Sequence, residues 1–177
     1  NILSAIPVST GFPGHKKTVD FALTVLGSAP EANGPQADSF QVVLRELGAE
    51  KNQAWEFTAR GELRNTAFGA KYALSMPLDD RPILKSVRDG NDTTTFWSAQ
   101  EAMPADIENI ESRKVYGKLS HPSGLVLSID GYEDEADSFV RSDQRRVLLQ
   151  PDNGGRHQLW QLRPDGAIVS ALSISNG

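Results

Sequence analysis

The chain of 177 residues contains no cysteine, which excludes a disulfide framework, a thiolate nucleophile and any cysteine-ligated metal or iron–sulfur site. No stretch approaches the roughly 18 consecutive apolar residues that a membrane-spanning helix needs, so membrane insertion is not expected. Positive charge is also short. Eighteen Lys and Arg stand against 23 Asp and Glu, a formal net charge of −5, and such a surface does not favour nucleic acid or an anionic membrane. The pairs Lys16-Lys17 and Arg145-Arg146 are too short to count as basic patches. Histidine is scarce too. His15, His121 and His157 fall in different turns, with no Ser or Asp at nucleophile spacing, no Gly-rich phosphate loop and no His-x-x-x-His pair, so each reads as a surface residue and no catalytic residue is nominated.

What the chain does contain is a repeat. Asn52-Gln53-Ala54-Trp55-Glu56-Phe57, followed by Gly61-Glu62-Leu63, returns as His157-Gln158-Leu159-Trp160-Gln161-Leu162, followed by Gly166-Ala167-Ile168. The two Gln-x-Trp blocks lie 105 positions apart, as do Val43-Leu44 and Leu148-Leu149. A constant offset of this kind is the mark of a repeat architecture. A weaker copy lies between them, in which Leu74, Leu84 and Trp97 take the places of Leu23, Leu44 and Trp55, and Thr95 replaces the Gln.

The segments Val19-Gly27, Phe40-Leu47, Trp55-Ala59, Lys71-Met76, Pro82-Val87, Gly124-Ile129, Arg146-Gln150 and Gln158-Arg163 mostly alternate apolar with polar residues and are separated by Gly, Pro, Asn and Asp-rich turns. That is strand periodicity. The expected fold is one all-β domain over residues 1–177, of three four-strand repeats at about 19–69, 70–123 and 124–177. One stretch breaks the rhythm. The step from Trp to the next core position is eight residues in the outer copies, whereas from Trp97 the best match is Val115. The extra residues lie in Ser98-Ser112, where Pro104 and the Ile107/Ile110 spacing predict a turn or two of helix, read as a decorated surface loop or as a partner-docking element.

The blocks Asn52-Gln53-Ala54-Trp55-Glu56-Phe57 and Gly61-Glu62-Leu63-Arg64-Asn65, running on to Leu74, resemble the Gln-x-Trp repeat of ricin-B-type lectins, over about Val19 to Ser170. The resemblance implies a β-trefoil in which Trp55, Trp97 and Trp160 pack in the core and each Gln ties down backbone. It also implies carbohydrate binding, usually of galactose-type sugars, in shallow pockets built from a carboxylate, a stacking aromatic and an Asn before the Gln-x-Trp. Here the carboxylate position corresponds to Thr24, Ser75 and Ser128, and the aromatic to Arg45, Lys85 and Gln150, while Asn52 is retained, with Thr94 and His157 in its place in the other copies. The familiar site is therefore altered.

The substitute site is placed in the third copy, where Asp130 takes the role of the carboxylate, Tyr132 that of the stacking ring, and His157 or Asn153 that of the neighbouring donor. The competing reading is a solvated acidic loop of Asp130, Glu133, Asp134, Glu135 and Asp137. Such carboxylates also suit calcium, but the spacing is not that of an EF-hand, and neither a metal nor a cofactor is assigned. The expected function is a non-enzymatic lectin-like protein, free or as the targeting module of a larger one, binding a glycan or glycoprotein. The alternative is a protein-binding or protease-inhibitor β-trefoil that uses loop 98–112. The chain begins at Asn1 without Met, and the expectation is a secreted protein whose leader has been removed, or a piece of a longer chain.

Overall fold

The computed structural model describes residues 18–30, 37–77, 81–87, 92–101, 116–130, 144–172 and 174–175. The architecture is all-β. A short strand β1 (Thr18–Val19) precedes β2 (Phe21–Val25), β3 (Ser39–Glu46), β4 (Trp55–Phe57) and β5 (Leu63–Asn65) of the first sequence copy. The second copy forms β6 (Tyr72–Ser75), β7 (Ile83–Ser86), β8 (Ser98–Glu101) and β9 (Gly117–Ser120). The third forms β10 (Leu125–Ile129), β11 (Gln144–Pro151), β12 (Trp160–Leu162) and β13 (Ile168–Ser170), and β14 (Ile174–Ser175) returns to pair with β1. All eight segments read as strands from their periodicity contain one. Helical structure among the described residues is confined to short 3-10 turns such as Lys51–Gln53, Thr93–Thr95 and Arg156–Gln158, one ahead of each Trp, and no helix there is long and apolar enough to cross a membrane.

The main sheet runs β11-β10-β9-β12-β13-β2-β3 and closes on itself where β11 meets β3, with Arg145 opposite Leu44. Closure leaves those strands without a free edge. Hairpins β6–β7 and β4–β5 lie off this ring, the first joined to β3 through Phe40 and Leu84.

Each copy sends the same four kinds of residue into one core. These are Leu23, Leu74 and Leu127 from the first strand, Leu44, Leu84 and Leu149 from the second, the three tryptophans, and Leu63, Leu119 and Ile168 from the last. Full burial of each stabilises by about 1.5–3 kcal/mol. Strand β2 is buried along its whole length, because Phe21, Leu23 and Val25 face this core while Ala22 joins Ala167 and Val169 in a second apolar cluster. Hence its sequence is a near-continuous apolar run instead of a strict alternation.

The tryptophans are fixed as well as buried. Nε1 of Trp55 donates to the Leu23 carbonyl, Trp97 to Leu74 and Trp160 to Leu127, each at 2.9 Å. The copies are also threaded to one another. The Trp55 amide donates to Gly166 O and that of Trp97 to Gly61 O, both at 2.8 Å, while Trp160 lies opposite Gly117 in the β12–β9 ladder.

Two expectations change. The core position after Trp97 is Leu119, not Val115, because β8 pairs with β9 through Ala99 and Leu119. Residues Ser98–Glu101 are strand, not the beginning of a helix-bearing loop. The remainder of loop 98–112, with Pro104 and Ile107/Ile110, lies outside the described residues.

Candidate functional site

The site is built on Gln158. Its Nε2 donates to the Pro151 carbonyl at 2.9 Å and to Ser128 Oγ at 3.1 Å, and its Oε1 accepts the Asn153 amide at 2.9 Å. The first copy repeats this arrangement, with Gln53 joined to Glu46 O, Thr24 Oγ1 and the Gly48 amide. A glutamine suits this position because its side-chain amide offers two N–H donors and a carbonyl acceptor on one group. The consequence for recognition is direct. Thr24 and Ser128 are fully buried and spend their hydroxyl protons on the carbonyls of Ala22 and Val126, so these positions serve the scaffold and do not face a ligand.

In the second copy, which lacks the Gln, Ser75 is likewise buried and bonds Thr94 Oγ1 at 2.7 Å. Thr94 in turn donates to Asp92 at 2.6 Å, and Lys85 reaches the other carboxylate oxygen at 3.2 Å. The Thr94 hydroxyl bond, aided by the Thr94 amide and Lys85, holds the Asp92 carboxyl below its ordinary range. The sequence reading passed over Asp92. Its signal was Asp92-Thr93-Thr94, an Asp capping the turn two residues on.

Outside the Gln158 scaffold, the segment from Asp152 to His157 carries polar groups toward solvent. Asp152 and Asn153 each fold back on the chain, accepting the amides of Gly154 and Gly155 at 2.9 Å. Asn153 is exposed, and its Nδ2 is 3.4 Å from Nε2 of the half-buried His157. A Cβ placed on Gly155 would overlap the His157 ring and stand 3.0 Å from Asn153 Oδ1, so the three residues form one packed unit. Lys118, from β9, clamps Asp152 at 2.8 and 2.6 Å and pulls its carboxyl below the ordinary range. An amide, an imidazole and a clamped carboxylate in one turn can exchange hydrogen bonds with vicinal hydroxyls.

The other nominated residues lie as follows. Asp130 follows β10, donates its amide to Arg146 O at 3.0 Å and has its carboxylate 3.5 Å from Arg146 Nη1. A cation therefore already stands beside the carboxylate meant for sugar. Tyr132 and the acidic residues from Glu133 to Asp137 lie outside the described residues. Asn52 belongs to the first copy, where Nδ2 donates to Val25 O at 2.9 Å and its backbone carbonyl accepts from Asn65 at 2.8 Å. Its Oδ1 is buried and unpartnered. Among the described residues no group of three or more His, Asp or Glu is placed to hold a metal ion. His121, read as a surface residue, is instead buried, because its ring packs edge-on against Trp97 with centroids 5.6 Å apart.

No protein-family model matches the chain, and no curated protein does. Among solved structures it is similar to the β-trefoil lectin of the Vibrio vulnificus hemolysin/cytolysin, crystallised with N-acetyl-D-lactosamine bound. The two are 14% identical, the match covers 88% of this chain and 96% of that one, and the TM-score is 0.48.

Proposed function

We propose that this chain is a non-enzymatic, carbohydrate-binding β-trefoil of the R-type lectin kind, a single domain of three repeats acting on glycans or glycoproteins outside the cell. Its glycan site is in the third copy, on Asn153 and His157, together with Asp130 after β10 and Tyr132, which lies outside the described residues. Asn52 is the corresponding residue of a first-copy site.

The observation that carries this reading is the Asn153–Gly155–His157 unit. Gln158 pins its base by bonding the Asn153 amide, while Asn153 and His157 keep polar atoms at the surface. A polar pair held in place loses little freedom on meeting a ligand, which favours binding through few contacts. The recurrence of the Trp, Leu and Gln contacts supports the threefold fold assignment. The non-enzymatic reading is supported by the use made of the polar residues, since Ser128 and Gln158 bond the carbonyls of Val126 and Pro151 and Ser75 bonds the Thr94 hydroxyl.

A glycan array probed with the folded protein, with and without calcium, tests the proposal. Selective binding that Asn153→Ala and His157→Ala abolish is the expected result. A blank array from protein shown to be folded overturns it and turns attention to protein capture or protease inhibition through loop 98–112.

A further inference from the structure

Opposite each Trp, on the strand that returns to it, lies one polar residue. It is Asn65 opposite Trp55 and Ser170 opposite Trp160. Continuing the β8–β9 register by one step, from Ser98 opposite Ser120, puts His121 opposite Trp97. Of the three only the histidine changes charge near neutral pH.

Its surroundings accept one protonation state. His121 is 8% exposed. The Ser123 amide donates to Nδ1 at 3.1 Å, and Ser123 Oγ lies 2.9 Å from the same atom. An amide N–H can only donate, so Nδ1 is unprotonated and the proton sits on Nε2. Nε2 faces the Thr93 and Thr94 carbonyls without a well-formed hydrogen bond to either. The same residue closes the turn from β9 to β10, donating its amide to Leu125 O and accepting that of Gly124.

We propose that His121 is a pH-sensitive latch: the neutral ring holds the turn His121–Gly124 shut, and a proton on Nδ1 drives off the Ser123 amide and opens the junction between the second and third copies. A protonated ring presents a donor to a donor. The charged groups on the surrounding elements offer it no free partner. Asp92, on the 3-10 turn, is engaged by Thr94 and Lys85, the latter from β7. Lys118, on β9, is engaged by Asp152. Met76, at the end of β6, meets Ser123 only through sulfur.

Burial lowers the affinity of the folded-state ring for its proton, against the smaller opposing pull of the Thr93 and Thr94 carbonyls. The folded value therefore lies below the ordinary histidine value of about 6.5. The latch is fully closed above that value and opens as pH falls through the lower, folded one.

The test is an NMR titration of the intact chain from about pH 8 to about pH 4, a span that brackets histidine ionisation. It follows the ring protons of the three histidines together with amide exchange at Ser123 and Gly124, corrected for intrinsic rates. His121 is expected to titrate below the ordinary value, with protection at Ser123 falling by up to about tenfold for each pH unit between the ordinary value and the His121 midpoint and levelling off below it. His121→Asn, the residue the first copy uses, should keep Ser123 protection independent of pH across that range. Titration of His121 at or above the ordinary value, or Ser123 protection that ignores it, overturns the proposal. The wild-type titration decides the matter even where H121N does not fold.

Discussion

The imidazole of His157 occupies the space that a side chain at Gly155 would need, since a Cβ there would stand 2.5 Å from Nδ1. Gly155 has φ −69°, a backbone conformation open to any residue. The glycine is thus required by its neighbour and not by its own torsion. Gly155→Ala is expected to displace His157 and weaken glycan binding by about tenfold or more, with a stability change of only about 1 kcal/mol, because the segment is half exposed. Array binding and urea denaturation of the same variant check both halves.

Gly166 makes the contrasting case. It has φ +85°, and a Cβ would lie 2.9 Å from Trp55 O. Gly166→Ala should destabilise by about 2–4 kcal/mol through strain and crowding together, read from the denaturation midpoint. Glycan binding by the fraction that stays folded should be unchanged.

Gln158→Leu removes three hydrogen bonds and leaves the Asn153 amide and the Pro151 carbonyl to find other partners. A loss of about 2–4 kcal/mol is expected, together with weaker glycan binding, because the bond that fixes Asn153 is gone. Thr95→Val should be milder, about 1 kcal/mol, since Thr95 Oγ1 bonds only the Asp92 carbonyl. Thermal denaturation of the two variants separates these values.

Acid should weaken the fold through Asp92 and Asp152. Both carboxyls titrate below 3.8 when folded, Asp92 chiefly through the Thr94 hydroxyl bond and Asp152 chiefly through Lys118. A lowered folded value means that the stabilisation is complete above the unfolded value and is lost as pH falls through the folded one. Asp92→Asn should flatten the acid limb of a stability–pH profile below about pH 4. The Lys118–Asp152 pair is partly exposed, so it should contribute no more than about 1 kcal/mol and fade in high salt.

Affinity for a single glycan should be low. Three neutral hydrogen bonds of about 1 kcal/mol each and a ring contact of about 1 kcal/mol sum to a dissociation constant near the millimolar range. NMR titration with monovalent sugar measures it directly, and multivalent display should raise the apparent affinity.

The core was legible in the sequence because the contacts that build it recur with the residues. Gln53 and Gln158 each bond the residue five positions before them, and a fixed local contact leaves a fixed spacing. Leu119 was missed because the inserted residues after Trp97 obscured where the return strand begins, and the strand ladder, not the spacing, decides it. His121 was misread because a His-Pro-Ser-Gly run looks like an exposed turn, while its burial comes from Trp97, 24 positions earlier. Thr24, Ser75 and Ser128 stand at the carboxylate position of the resemblance, and only the structure shows their hydroxyls engaged by Gln53, Thr94 and Gln158. Asp130 was assigned the carboxylate's role from its place in the third copy, and Arg146 enters only once β10 and β11 pair.

Trp55 and Trp97 each meet a glycine of the copy before, at Gly166 and Gly61, and Trp160 meets Gly117 of β9, so that the first copy meets the third. Such a head-to-tail contact closes after three steps, as in a cyclic trimer whose subunits happen to be joined by peptide bonds. No copy is an end cap, so deleting one third of the chain would leave a donor edge and an acceptor edge without mates. The molecule cannot be shortened by a unit in the way an open solenoid can. One unit expressed alone would satisfy its own edges only by gathering two more of its kind.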